Sequence, residues 1–171
     1  MKLRKPTRLK DFDYASNHTY FITLCTHGRQ HLLSQVITCE TDQTDSHIIL
    51  SAIGQIVCKS INYIQNQREG FSVEHFVIMP NHVHLLVTLS GNSDLSESEW
   101  NCARRKKGVD EVIGAMKSFT QSQFLKLSNE KKGLLWQRSF YDQVIRDQQM
   151  YDSVWTYIEE NPLKWALDEY N

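Results

Sequence analysis

A chain of 171 residues, 40% hydrophobic and 23% charged, has the composition of an ordinary globular domain and enough length to bury a core. No apolar run approaches a membrane span and the first residues lack a signal-peptide core, so the expectation is a cytoplasmic protein without membrane contact. A net charge of −1 does not by itself point to a nucleic-acid partner, but the charges are unevenly spread and local basic clusters can still neutralise phosphates.

Residues 1–12 read as a flexible basic arm, with Lys2, Arg4, Lys5, Arg8 and Lys10 in its first ten positions and no acid among them. His18 to Thr26 is rich in β-branched and aromatic residues and reads as a first long strand, ended by Gly28-Arg29-Gln30. Residues 32–50 are ambiguous: 32–38 and 47–50 fit short strands around a polar loop at 40–46. From Ser51 the period changes. Ile53, Ile56, Val57, Ile61 and Ile64 recur at three and four residues, predicting an amphipathic helix over about 51–67.

Two apolar runs, about 72–79 and 82–89, flank Pro80-Asn81 and read as strand, reversal, strand. Residues 90–107 lose periodicity and read as a polar loop that holds an acidic stretch at 94–99 and the basic run Arg104-Arg105-Lys106-Lys107. A helix follows over about 109–127, with Val112, Met116 and Phe119 on one face. A short strand near 141–146 leads to a last helix over about 147–160, expected to stop at Asn161-Pro162 because proline breaks helical hydrogen bonding. Lys126, Lys131, Lys132 and Arg138 form a further basic group. Cys25, Cys39, Cys58 and Cys102 are scattered without a Cys-x-x-Cys pair, which predicts reduced, structural thiols.

The order β-α-β-β-α-β plus a C-terminal helix predicts one α+β domain over 1–171. Its fold would be a ferredoxin-like split βαβ antiparallel sheet, with helices on one face and an additional C-terminal helix.

Two constellations carry chemistry. His82 and His84 flank Val83 on a strand, so both imidazoles project from one face and can offer two neutral nitrogens to one divalent ion. The bland alternative is an exposed histidine pair on a half-solvated strand. Tyr157 and Asn161 lie four residues apart on one face of the last helix. An Asn161 amide oxygen could be a third ligand and the Tyr157 phenol a nucleophile beside the metal. Taken singly, Tyr157 fits a satisfied buried tyrosine and Asn161 a helix terminus before proline.

Met79-Pro80-Asn81-His82-Val83-His84-Leu85-Leu86-Val87 resembles the His-hydrophobic-His motif of HUH-type tyrosine transposases that act on single-stranded DNA. The run Trp136 to Arg146, followed by Tyr157-Ile158-Glu159-Glu160-Asn161-Pro162, resembles their C-terminal signature. The REP-associated tyrosine transposases are the most similar branch, and the resemblance runs from about Tyr20 to Trp165. It implies a ferredoxin-like fold and a catalytic Mg²⁺ or Mn²⁺ held by His82, His84 and Asn161. It also implies Tyr157 as nucleophile, with Tyr141 and Tyr151 as nearby alternatives. The reaction implied is cleavage and rejoining of single-stranded or hairpin DNA from palindromic repeats, through a 5′-phosphotyrosine.

Lys2, Arg4, Lys5, Arg104, Arg105, Lys106, Lys107 and Arg138 would contact phosphates. Trp136, Phe140 and Tyr141 would either stack on bases or pack in the core. The broader family works as homodimers that exchange the tyrosine helix, so the resemblance implies either a homodimer or, for this branch, a monomer. Two competing readings are a domesticated hairpin-DNA-binding protein without transposition activity and a non-catalytic RNA-binding ferredoxin-like module.

Overall fold

The computed structural model describes residues 18–39, 42–67, 70–90, 108–128 and 133–167. The basic arm, residues 91–107 with their Arg104–Lys107 run, and Lys131 and Lys132 lie outside the described residues.

The elements are β1 (Thr19–Cys25), β2 (Ser34–Cys39), β3 (Asp42–Leu50), α1 (Ala52–Gln67), β4 (Phe71–Ile78), β5 (His82–Leu89), α2 (Val109–Leu127), β6 (Tyr141–Ile145) and α3 (Gln148–Leu167). Four strands form a sheet in the order β4-β5-β1-β6, with antiparallel neighbours throughout. The β1-α1-β4 crossover skips the place that β5 fills, and β5-α2-β6 skips β1. That is the split βαβ topology expected from the element order.

Strand side chains alternate, so the sheet has two apolar faces. Tyr20, Ile22 and Leu24 of β1 join Val83, Leu85 and Val87 of β5 in a core with Val57 and Ile61 of α1 and Val112, Ile113 and Met116 of α2. The opposite face carries Phe21, Val77, Leu86 and Ile145. It is covered by Val36 and Ile48 of the β2–β3 hairpin and by Met150, Val154 and Ile158 of α3. Two helices thus share one face, and the added C-terminal helix packs on the other. Each fully buried Val, Leu or Ile here contributes about 1.5–3 kcal/mol relative to exposure.

Local chemistry sets the junctions. Ser51 caps α1, its Oγ accepting the Gly54 N–H at 3.1 Å. A Cβ on Gly54 would stand 1.9 Å from the Leu33 carbonyl, so only glycine allows this approach of helix to chain. Asp147 caps α3, its Oδ1 accepting the Met150 N–H at 2.8 Å. Only Arg146 and Asp147 separate β6 from α3.

Three expectations are corrected. β3 begins at Asp42, inside the stretch read as loop, because pairing with β2 across an irregularity at Thr38/Cys39 carries polar residues into the ladder. The core line of α2 runs through Met116 and Thr120 and leaves Phe119 exposed, since a 3.6-residue period passes over position 119. Of the two roles open to Trp136, the structure shows core packing: it is buried and its Nε1–H donates to Thr120 Oγ1 at 2.8 Å.

The third correction concerns α3, which continues through Pro162 to Leu167. Proline fixes φ near a helical value and forfeits one bond, the one to the Ile158 carbonyl, at a cost of about 3 kcal/mol. Contacts beyond it offset that loss: Lys164 pairs with Glu160 at 2.7 Å and Trp165 packs on His31 and His82.

Candidate active site

The reversal between β4 and β5 is buried and tied to its neighbours by hydrogen bonds. Met79 N–H donates to His82 O at 2.8 Å, Leu33 N–H to Pro80 O at 3.0 Å, and Thr26 N–H to Asn81 O at 2.9 Å. Thr26 Oγ1 donates to Asn81 O as well. These bonds satisfy the turn's carbonyls away from water and fix where β5 starts, hence where His82 and His84 stand.

Both histidines are buried, His82 to 8% and His84 to 5% exposure, under α3. The exposed strand pair of the bland reading is therefore corrected; the C-terminal helix removes these rings from solvent. Their centroids are 4.6 Å apart. Phe21 stacks on His84 at 5.0 Å. Asn81 Oδ1 lies 2.7 Å from Nδ1 of His82. A carboxamide oxygen only accepts, so that Nδ1 carries the proton and Nε2 keeps its lone pair. Thr23 Oγ1 lies 2.9 Å from Nδ1 of His84. A hydroxyl can give or take, so this contact orients the ring without choosing its tautomer.

Burial drives both rings towards the neutral form. It pulls His82 down to about 4, against a hydrogen bond from the ring to the Asn161 side chain that favours the proton, with the Arg29 charge adding a smaller push downwards. Burial also takes His84 down to about 3, with His82 and Arg29 pushing the same way. Neutral imidazoles are the ligating form.

From α3, positions 157, 161 and 165 present one face to these rings, each four residues from the next. Asn161 is 7% exposed and bonds His82. Tyr157 is 41% exposed, with its ring edge-on to His84 at 5.3 Å and to Phe21 at 5.9 Å. Lys164 Nζ stands 5.5 Å over the Tyr157 ring. Among the described residues no group of three or more His, Cys, Asp or Glu side chains gathers as a metal cluster. A cation here would use His82, His84 and the Asn161 oxygen. The donor set fits a divalent ion: two neutral nitrogens, one amide oxygen, and at least one ring oriented from behind by a neighbour.

The residues expected from sequence thus divide. His82, His84, Tyr157 and Asn161 come together. Arg138 lies elsewhere, exposed beside α2. Lys2, Arg4, Lys5, Arg104, Arg105, Lys106 and Lys107 lie outside the described residues. Of the alternative tyrosines, Tyr151 stacks on Trp155 at 6.0 Å and Tyr141 opens β6.

Sequence reasoning missed Thr23, Asn81, Arg29 and Trp165. Asn81 was in view, since it precedes His82 in the turn, and Trp165 continues the four-residue spacing of Tyr157 and Asn161. Thr23 needed the β1–β5 register. Arg29 has a left-handed backbone, φ 57°, costly for a residue other than glycine and without a marker in composition.

No family model matches the chain. In sequence it is similar to an uncharacterised protein of Haemophilus influenzae, 26% identical over 172 residues that take in 97% of this chain and 92% of that one. In three dimensions it is similar to the REP-associated tyrosine transposase solved bound to a REP hairpin. The TM-score is 0.52 at 22% identity, covering 96% of this chain and 74% of that one. This likeness establishes a shared fold.

Proposed function

We propose that the chain is a DNA strand transferase of the REP-associated tyrosine transposase kind, cutting and rejoining single-stranded or hairpin DNA through a 5′-phosphotyrosine. The observation that carries this reading is the meeting of Tyr157 with His84 at 5.3 Å, between a mid-chain strand and the C-terminal helix. The fold shared with a protein solved on a REP hairpin supports the substrate class.

Mg²⁺ or Mn²⁺, when bound by His82, His84 and Asn161, supplies charge neutralisation at the scissile phosphate. The chain's own residues do the rest. Asn81 and Thr23 hold the imidazoles in place, and Phe21 and α3 keep water off them. The Tyr157 oxygen forms a bond to phosphorus as the bond to the 3′ oxygen breaks in line. The phenol proton passes to solvent, which the partly exposed ring reaches, and the departing 3′ oxygen takes up a proton. Arg29 adds positive charge near the phosphate. Attack by a 3′-hydroxyl on the phosphotyrosine reverses the step, so rejoining needs no nucleotide triphosphate.

The test is a denaturing-gel assay with a labelled hairpin oligonucleotide carrying a single-stranded flank, in Mg²⁺ or Mn²⁺. The unaltered chain forms a covalent adduct, and Tyr157→Phe binds the same DNA yet forms none. An adduct that persists in Tyr157→Phe removes Tyr157 as nucleophile. Binding without an adduct by the unaltered chain leaves only the hairpin-binding reading.

A further inference from the structure

Between α2 and β6 lies a second built surface that the tyrosine chemistry does not use. Residues 133–140 belong to no helix and no named strand, yet they are tied down along their length. Gln121 of α2 holds both ends of one turn, Nε2–H donating to Gly133 O at 2.9 Å and Oε1 accepting from Leu135 N–H at 2.8 Å. Lys117 Nζ donates to the carbonyls of Gln137, Arg138 and Ser139 at 2.7, 3.1 and 3.4 Å. On the other flank Gln137 N–H donates to Cys25 O at 2.9 Å. A half-buried ammonium given over to three successive carbonyls fixes the path of 137–139.

Arg138 and Ser139 stand out of that path, exposed. With Asp110, Gly114, Lys117 and Ser118 they line a concavity of about 480 Å³. Its floor is open at Gly114, where a Cβ would meet nothing within 4 Å.

Two residues on, the chain reaches the other face of the sheet. Tyr141 is the register partner of Thr23, and Thr23 is the partner of His84. Directly opposed residues of antiparallel strands share a face, so Tyr141, Thr23 and His84 form a row across β6, β1 and β5. Paired Cα atoms lie about 5 Å apart, which places Tyr141 about 10 Å from His84. β6 is the edge of the sheet, and the Tyr141 ring is 57% exposed.

We propose that the surface from Arg138 to Tyr141 is a lane for one unpaired DNA strand, running round the β6 edge to the cleavage site. Arg138, with the Ser139 and Ser118 hydroxyls, takes a backbone phosphate, and the Tyr141 ring stacks on a base of the strand that leads to His84. The lane rests on the reading of Tyr157 and the histidine pair as the cleavage site, and it says where the flank of a hairpin runs. A duplex hides its base faces, so only an unpaired flank can use Tyr141.

Fluorescence anisotropy in EDTA, where no cleavage occurs, tests this with two labelled oligonucleotides: a hairpin with a single-stranded flank and the same hairpin without one. Arg138→Ala weakens binding of the flanked hairpin and lowers the slope of log affinity against log salt by about 0.7, one phosphate contact to a single strand. Tyr141→Ala weakens it about five-fold or more at unchanged slope, and Tyr141→Phe retains it. The blunt hairpin binds all three variants as it binds the unaltered chain. Equal losses on both oligonucleotides, or no loss on the flanked one, overturn the lane. Since no step in EDTA needs the phenol of Tyr157, the two readings fail separately. An absent adduct with intact flank effects overturns the chemistry alone, and absent flank effects with an intact adduct overturn the lane alone.

Discussion

Thr23 and His84 face each other across β1 and β5, hydroxyl to Nδ1 at 2.9 Å, behind the nitrogen that would ligate an ion. Thr23→Val keeps the branched shape and removes only that hydroxyl. Support of this kind typically carries 10- to 100-fold in metal affinity. The expected outcome is a loss of about that size in Mn²⁺ affinity, read by electron paramagnetic resonance titration, against a stability loss of only about 1 kcal/mol. Unchanged affinity would show that Thr23 orients nothing.

Acid should unfold the metal-free protein through the same two rings. In the unfolded chain each histidine takes up a proton near pH 6.5; in the folded chain His82 waits until about 4 and His84 until about 3. Between those values the unfolded state holds more protons. The stability that goes with neutral rings is fully present above pH 6.5 and is lost as pH falls, at about 1.4 kcal/mol per histidine per pH unit. Melting in EDTA from pH 7.5 to 5 should show this decline, and His84→Gln should make it shallower. An equal slope in that variant would place the acid sensitivity elsewhere.

The parts of the fold that repeat a period were readable in advance. Ile53, Val57 and Ile61 announce α1, and the alternation through Val83, Leu85 and Val87 announces β5 with its histidines on the other face. What could not be read was set by contacts distant in sequence. Composition made residues 42–46 a loop, and pairing with β2 made them strand. Propensity ended α3 at Asn161, and the packing of Trp165 on His31 and His82 carried it on. The candidate site followed the same rule. His82, His84, Tyr157 and Asn161 stand in recognisable local patterns, whereas Thr23 enters only when β1 is laid beside β5.

A short tether has a kinetic meaning. Arg146 and Asp147 are all that joins β6 to α3, and α3 packs on the sheet against Ile145, Val77 and Leu86. Lending its tyrosine to a second copy would require peeling the helix from Ile145, Val77 and Leu86 first. Mixing Tyr157→Phe with His82→Gln should therefore restore no adduct, where exchanged helices would rebuild one intact site in every mixed dimer. Cleavage per molecule should also be indifferent to dilution: a self-sufficient catalyst, as fast at one copy as at a thousand.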